Sequence, residues 1–225
     1  MRRGGEFSIR LGSNELMNSR RGGSEAALAT LACERIKARE RADVLIGGLG
    51  MGFTLRAALA VLGAQARVTV AELVPSVVAW ARGPMAAVFG GGLADPRVRI
   101  RNADVGSLIR RERSAFDAIL LDVDNGPAGL TRTANDGLYD AAGLSTAHAA
   151  LRPAGVLAVW SSGPDADFTR RLRTAGFGVE EVRARANGAR GARHVIWIAT
   201  RAEAAIRPAR SASRSSRRRS PRPES

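Results

Sequence analysis

The sequence predicts an α/β domain: a mostly parallel seven-stranded sheet, covered by helices on both faces and ending in an antiparallel edge hairpin. Three observations predict it. From residue 43 onward, short apolar runs alternate with amphipathic stretches, and an apolar run set between helices is a strand buried on both faces. The last two runs, over 177–182 and 194–199, have only a Gly- and Arg-rich segment between them, so they pair as an antiparallel hairpin. A chain of 225 residues also suits one domain with tails better than two domains.

The elements follow in order. Residues 7–11 alternate apolar and polar, Gly12-Ser13-Asn14 offers a turn, and 15–18 can return, giving a small hairpin within an N-terminal arm over 1–22. Ser24 and Glu25 open a helix to about Lys37, with Leu28, Leu31, Ala32 and Ile36 on one face. Strands over 44–46, 67–71, 98–100, 116–121 and 155–160 are followed by helices over 53–62, 75–88, 105–112, 144–151 and 165–175. Pro75 is tolerated at a first helical turn, where its missing N–H has no partner to lose. The main domain therefore spans 23–202. The segment 203–225 is Ala, Arg, Ser and Pro with nothing to pack, and is expected to be a disordered tail.

Composition excludes several classes. A hydrophobic content of 45% is ordinary for a globular chain, and no apolar run reaches the roughly 20 residues of a membrane helix. The first ten residues are basic without a following apolar stretch, so they do not read as a secretory signal. A single cysteine, Cys33, excludes an intramolecular disulfide and any multi-cysteine metal cluster. These features predict a cytoplasmic protein. The net charge of +14 is concentrated: residues 207–225 carry seven Arg and one Glu, leaving +8 for the rest. Nearly all basic residues are Arg, with Lys37 the sole Lys, which points to compositional bias. Nucleic-acid binding is therefore not expected of the folded body, and the tail is left for weak contact with an anionic partner.

The strongest local signal is the run from Val44 through Arg56. A strand ends, Gly47, Gly48, Gly50 and Gly52 follow, and a helix begins. Glycines let a backbone bend sharply and approach a ligand, and the helix start offers unpaired N–H groups. The spacing is not the dinucleotide fingerprint, because Phe53 stands where a glycine would fall. It fits the G-x-G-x-G loop that receives a nucleoside with a sulfonium tail. Glu72 ends the second strand beside this loop, where a carboxylate can accept hydrogen bonds from a ribose diol. Asp104, just past the third strand with Ala103, can accept from an adenine amino group or cap the next helix. Asp122 and Asp124 end the fourth strand, where an open α/β sheet places its substrate, so either can take a proton from an incoming nucleophile. Asp124-Asn-Gly-Pro127 is also strong turn chemistry. His148 and His194 have no acid or Cys nearby in sequence and read as structural. No metal site is predicted.

The run from the first of these parallel strands through Trp160 resembles the spermidine synthase family of polyamine aminopropyltransferases. Gly48 to Arg56 is similar to that family's G-G-G-D-G-G-T-L-R, with Thr54, Leu55 and Arg56 matching directly. Ala71-Glu72 resembles the strand end that grips the donor ribose, and Ala103-Asp104 resembles the Gly-Asp pair beside the adenine. Asp117 to Asp122 resembles the strand delivering the catalytic acid, Tyr139 falls near the tyrosine that follows the family's active-site loop, and Leu151 to Leu157 matches the segment before the fifth strand. The resemblance implies a Rossmann-like class I S-adenosylmethionine-dependent methyltransferase fold and a role in polyamine biosynthesis. It also implies a small-molecule amine acceptor and leaves a homodimer open.

Three departures bear on the substrate. The family's loop Asp is Met51 here, which removes a charge that would favour decarboxylated S-adenosylmethionine over S-adenosylmethionine. The loop after the catalytic acid is shortened to Asp122-Val-Asp-Asn-Gly-Pro127. Gly23-Ser24-Glu25 replaces the family's Tyr-Gln-Glu. Three functions follow: aminopropyl transfer from decarboxylated S-adenosylmethionine, methyl transfer from intact S-adenosylmethionine, or a non-catalytic nucleoside-binding relative. In the first, Asp122 and Asp124 are the catalytic acids, with Asp124 and Tyr139 touching the acceptor.

Overall fold

Asp43, at the head of the first apolar run, marks where the main sheet starts. The run forms the strand Asp43–Gly47, with four of its five residues buried. The computed structural model describes residues 1–12, 14–20, 22–123, 126–127, 137–187 and 190–203. In chain order it has β1 (Arg2–Arg3), β2 (Glu6–Leu11), β3 (Asn14–Asn18), α1 (Gly23–Ile36), β4 (Asp43–Gly47), α2 (Phe53–Val61), β5 (Arg67–Ala71) and α3 (Pro75–Arg82). There follow β6 (Val98–Arg101), α4 (Val105–Arg111), β7 (Phe116–Leu121), α5 (Ala141–Ala150), β8 (Leu151–Ser161), α6 (Ala166–Thr174), β9 (Phe177–Asn187) and β10 (Arg190–Arg201).

Strands β1 to β3 form a small antiparallel sheet. The other seven form one sheet in the order β6-β5-β4-β7-β8-β10-β9. The first five are parallel, and β10 runs antiparallel to both β8 and β9. The fold is the Rossmann-like one expected from the sequence.

Strand alternation divides the core in two. Val44, Ile46, Val70, Leu120, Ala158 and Ile196 face α1, α2 and α3, with Ile9 of β2 joining that layer. Leu45, Ile119, Leu121, Val159 and Trp197 face α4, α5 and α6. Burying both faces explains why these strands read as continuous apolar runs rather than alternating ones.

Three boundaries differ from the sequence-based expectation. Helix α3 stops at Arg82 rather than 88: Gly83 leaves helical geometry and Pro84 disfavours helix in the residue before it. A short 3₁₀ turn, Ala86–Phe89, then carries the chain back. Strand β8 starts at Leu151, not 155, because a register shift between Phe116 and Ala118 of β7 lets it pair across the bend at Ala154 (φ 56°). The helix before it ends one residue sooner, at Ala150, and starts at Ala141 rather than 144. Strands β9 and β10 extend through the Arg-rich segment, since antiparallel pairing satisfies backbone groups whatever the side chains. Arg193 there stands opposite Arg185.

At the N-terminal ends of the strands a buried ion cluster ties β4, β7 and β8 together. Asp117 is 2% exposed and accepts from the Asp43 backbone N–H at 2.7 Å and from Arg152 at 2.5 Å, and it pairs with Arg39. Arg152 also reaches Asp43 at 2.9 Å. Burial pushes the Asp43 carboxyl up, but hydrogen bonds from Arg67 and Arg152 more than offset this and hold it below its ordinary value.

Candidate functional site

The opposite, C-terminal edge of the sheet carries the candidate site. Beyond β4 the chain bends through Gly48 (φ 89°), Gly50 (φ 49°) and Gly52 (φ 74°), a conformation that favours glycine. Gly48 is also fixed by space, since a Cβ there would lie 2.5 Å from the Asp122 carbonyl oxygen. The bend therefore passes directly against the end of β7, whose Asp122 N–H donates to the Gly47 carbonyl at 3.1 Å. Met17 of β3 lies over the loop, its sulfur 2.9 Å from where a Gly50 Cβ would stand.

Glu72 is 8% exposed and holds this loop. Its Oε2 accepts the Leu49 N–H at 3.0 Å and its Oε1 accepts the Val74 N–H at 2.8 Å. Each oxygen keeps a further lone pair for a ligand hydroxyl. The Glu72 carbonyl accepts from the Ala103 N–H at 3.2 Å and the Asn102 side chain at 2.7 Å, so Ala103 and Asp104 share its rim. Asp104 caps α4, accepting the Ser107 N–H at 2.7 Å. Burial pushes its carboxyl up, but hydrogen bonds from Ser107 and the charge of Arg110 hold it below its ordinary value. Leu73 and Val74, next to Glu72, are exposed apolar side chains that sequence reasoning passed over.

Asp122 is half-buried, and its Oδ2 accepts from the Thr54 hydroxyl at 2.6 Å. Burial, and then the charge of Glu25, push its carboxyl up to about 7, against the pull of the Thr54 hydrogen bond. A carboxyl so placed is matched to proton transfer near neutrality. Gly47, Gly48, Gly50, Gly52, Glu72, Ala103, Asp104 and Asp122 thus lie along one edge. Asp124 lies outside the described residues.

Tyr139, expected at the acceptor, is placed elsewhere. It is 4% exposed in the core of the α4–α6 face, its ring edge-on to Phe168 at 5.7 Å. It falls just before α5, and the packing of that helix on α6 takes the ring inward. Met51 is 2% exposed, with its side chain in the α1–α3 core.

Sequence reasoning read Ser24 and Glu25 as a helix start and His194 as structural, and did not foresee that the three meet. Ser24 is fully buried, with its hydroxyl 2.6 Å from Glu25 Oε2 and 2.8 Å from His194 Nδ1. Burial pushes the His194 ring down, opposed by Glu25. The available signal was strand alternation, which sets position 194 on the same face as 196 and 198. A cleft between α4 and α5, lined by Gly106, Arg110, Leu138 and Thr146, lies on the opposite face from the Asp122 side chain. Among the described residues no three His, Cys, Asp or Glu side chains form a metal-ligand set, and no helix is long and apolar enough to cross a membrane.

No protein-family model matches the chain. Over 148 residues it is 31% identical to polyamine aminopropyltransferase 1 of Streptomyces coelicolor, covering 62% of this chain and 27% of that protein. Over 156 residues it is 31% identical to polyamine aminopropyltransferase 2 of Pseudomonas aeruginosa, covering 64% of this chain and 42% of that protein. The chain therefore spans less than half the length of either relative. In fold it is similar to the spermidine synthase of Thermotoga maritima, with a TM-score of 0.67, 20% identity, and 88% of this chain on 67% of that one. It is also similar to human methyltransferase-like protein 13 in complex with SAH, with a TM-score of 0.58, 17% identity, and 84% of each chain covered. The chain is thus similar in sequence, over less than two thirds of its length, to two polyamine aminopropyltransferases, and it has a Rossmann-like methyltransferase fold.

Proposed function

We propose that the chain is a transferase moving an aminopropyl group from decarboxylated S-adenosylmethionine to a small amine. The observation that carries this is Asp122, a half-buried carboxyl raised to about 7 at the rim shared by the glycine bend and Glu72. Glu72 keeps a further lone pair on each carboxylate oxygen beside the glycine bend, which fits a ribose-bearing donor. In the proposed reaction the acceptor nitrogen forms a bond to the methylene carbon beside the sulfonium. The carbon–sulfur bond breaks toward sulfur, methylthioadenosine leaves, and Asp122 takes the proton released by the nitrogen. The sulfonium is already a good leaving group, so orientation and deprotonation are what the protein must supply.

The same reading assigns the reaction to residues 23–202 and the acceptor rim to Asp122 and Asp124. Residues 1–22 and 203–225 are then accessory, and the reaction needs no metal. It places the protein in the cytoplasm, with the body not binding nucleic acid and the basic tail open to weak anionic contact. It is compatible with a homodimer. Intact S-adenosylmethionine as a methyl donor is the second reading, favoured by the burial of Met51, which leaves no acid at that loop position.

Calorimetry separates these readings. Tighter binding of the decarboxylated donor than of S-adenosylmethionine is the expected result; the reverse preference supports methyl transfer. Binding of neither donor, nor of methylthioadenosine, ends both.

The pH dependence has a defined sign. Below about 7 Asp122 holds a proton and cannot accept another, so kcat should fall on the acid side with a midpoint near 7. A pH profile at saturating acceptor that stays flat from 8 to 6 would contradict this.

A further inference from the structure

A row of polar side chains crosses the α1 face of the sheet at its C-terminal edge. Leu120, Ala158 and Ile196 point to that face from β7, β8 and β10. Two residues toward the edge along each strand stand Asp122, Trp160 and His194; Trp160 is paired with Ile196, so His194 stands one step beyond it toward the rim. The first turn of α1 lies over them. Its Ser24 hydroxyl lies between Glu25 Oε2 at 2.6 Å and His194 Nδ1 at 2.8 Å. A hydroxyl has one proton to give, and the carboxylate can only accept, so Ser24 donates to Glu25 and His194 Nδ1–H donates to Ser24. Thr54 joins this turn to Asp122: its hydroxyl is 2.6 Å from Asp122 Oδ2 and 3.4 Å from the Glu25 carbonyl. The Trp160 ring meets His194 edge-on at 4.7 Å and keeps the imidazole from turning away.

We propose that His194 is a positioning residue: through the Ser24 hydroxyl it fixes the Glu25 carboxylate beside Asp122 and thereby sets when Asp122 can accept a proton. The role of Asp122 as the base rests on the transferase reading; the positioning chain does not. Among the described residues Glu25 is the ionisable group that faces His194, from α1, and the one that faces Asp122. Across the strands His194 meets Ala184 of β9 and the Trp160 ring of β8, and Asp122 meets Thr54 of α2. Among the described residues neither acid is paired with an Arg or Lys, in a chain carrying 35 of them. Burial holds the imidazole below its ordinary value, so at neutral pH it acts by orientation rather than by charge.

The test is a carbon-13 NMR titration of aspartate carboxyls in the full chain, with the Asp122 signal identified by its loss in Asp122→Asn. Glu25→Gln should lower the Asp122 midpoint by about one pH unit, because a like charge is removed. His194→Phe and Ser24→Ala, which cut the same chain, should each lower it by roughly half that or more. His194→Asn, whose amide can donate where Nδ1 does, should return it to near the wild-type midpoint. If His194→Phe does not fold, Ser24→Ala carries the same expectation. A midpoint unmoved by Ser24→Ala or a folded His194→Phe, or an Asn variant no better than Phe, overturns the proposal. Because the readout is a titration, absence of turnover with every donor would sink the transferase reading alone.

Discussion

Asp122→Asn is expected to lower turnover by about 10²–10⁴-fold while donor affinity stays within about threefold. The amide keeps the shape of the carboxyl and still offers Thr54 an oxygen, so the glycine bend and its contact with the Asp122 carbonyl should persist. What is lost is the group that takes the acceptor's proton. Single-turnover rates with calorimetric donor affinities would check both halves. An unchanged rate would remove Asp122 from the chemistry, and a parallel collapse of donor binding would make it a binding residue instead. Stability should move the other way. The Asp122 carboxyl sits near 7 in the fold, above its ordinary value of 3.8, so the stability it contributes is present at low pH and lost as pH rises through about 7. At pH 8 the Asn variant should be no less stable than the parent.

Asp117→Ala should have the largest effect on stability, about 3–5 kcal/mol, because it strips the acceptor from two arginines and a backbone N–H at once. The side chain is 3% exposed, so water cannot readily take its place. Urea unfolding would measure the loss. A cost below about 1 kcal/mol would mean the cluster behaves like an exposed ion pair. The cluster sits at the N-terminal end of β7 and the candidate site beyond its C-terminal end. The folded fraction of the variant should therefore bind donor as the parent does.

The strands of the parallel sheet were legible because each is buried on both faces and so is written as an uninterrupted apolar run. The glycine bend was legible for a related reason: Gly48 has no room for a side chain, and sequence carries that restriction openly. Glu72 and Asp104 were placed at the C-terminal edge of the sheet by their position just past β5 and β6. Their partners were not foreseeable, because the Glu72 contact with Leu49 depends on how tightly the loop folds back. Ser24 and His194 are 170 residues apart and meet only because β10 inserts between β8 and β9, so no local pattern announces the contact. Tyr139 shows the reverse: motif position placed it near the acceptor, but helix packing decided where its ring went.

The order of strands also constrains how the chain is made. Strand β9 leaves the ribosome before β10, yet among the described residues its neighbour in the sheet is β10, which separates it from β8. Nascent β9 therefore has no ladder to join until the last strand is synthesised, an interval of about a second or more at ordinary translation rates. During that time β8 is an open edge and β9 an unpaired one. Arg183 and Arg185, exposed along β9, give it the charge that discourages pairing with another chain while it waits.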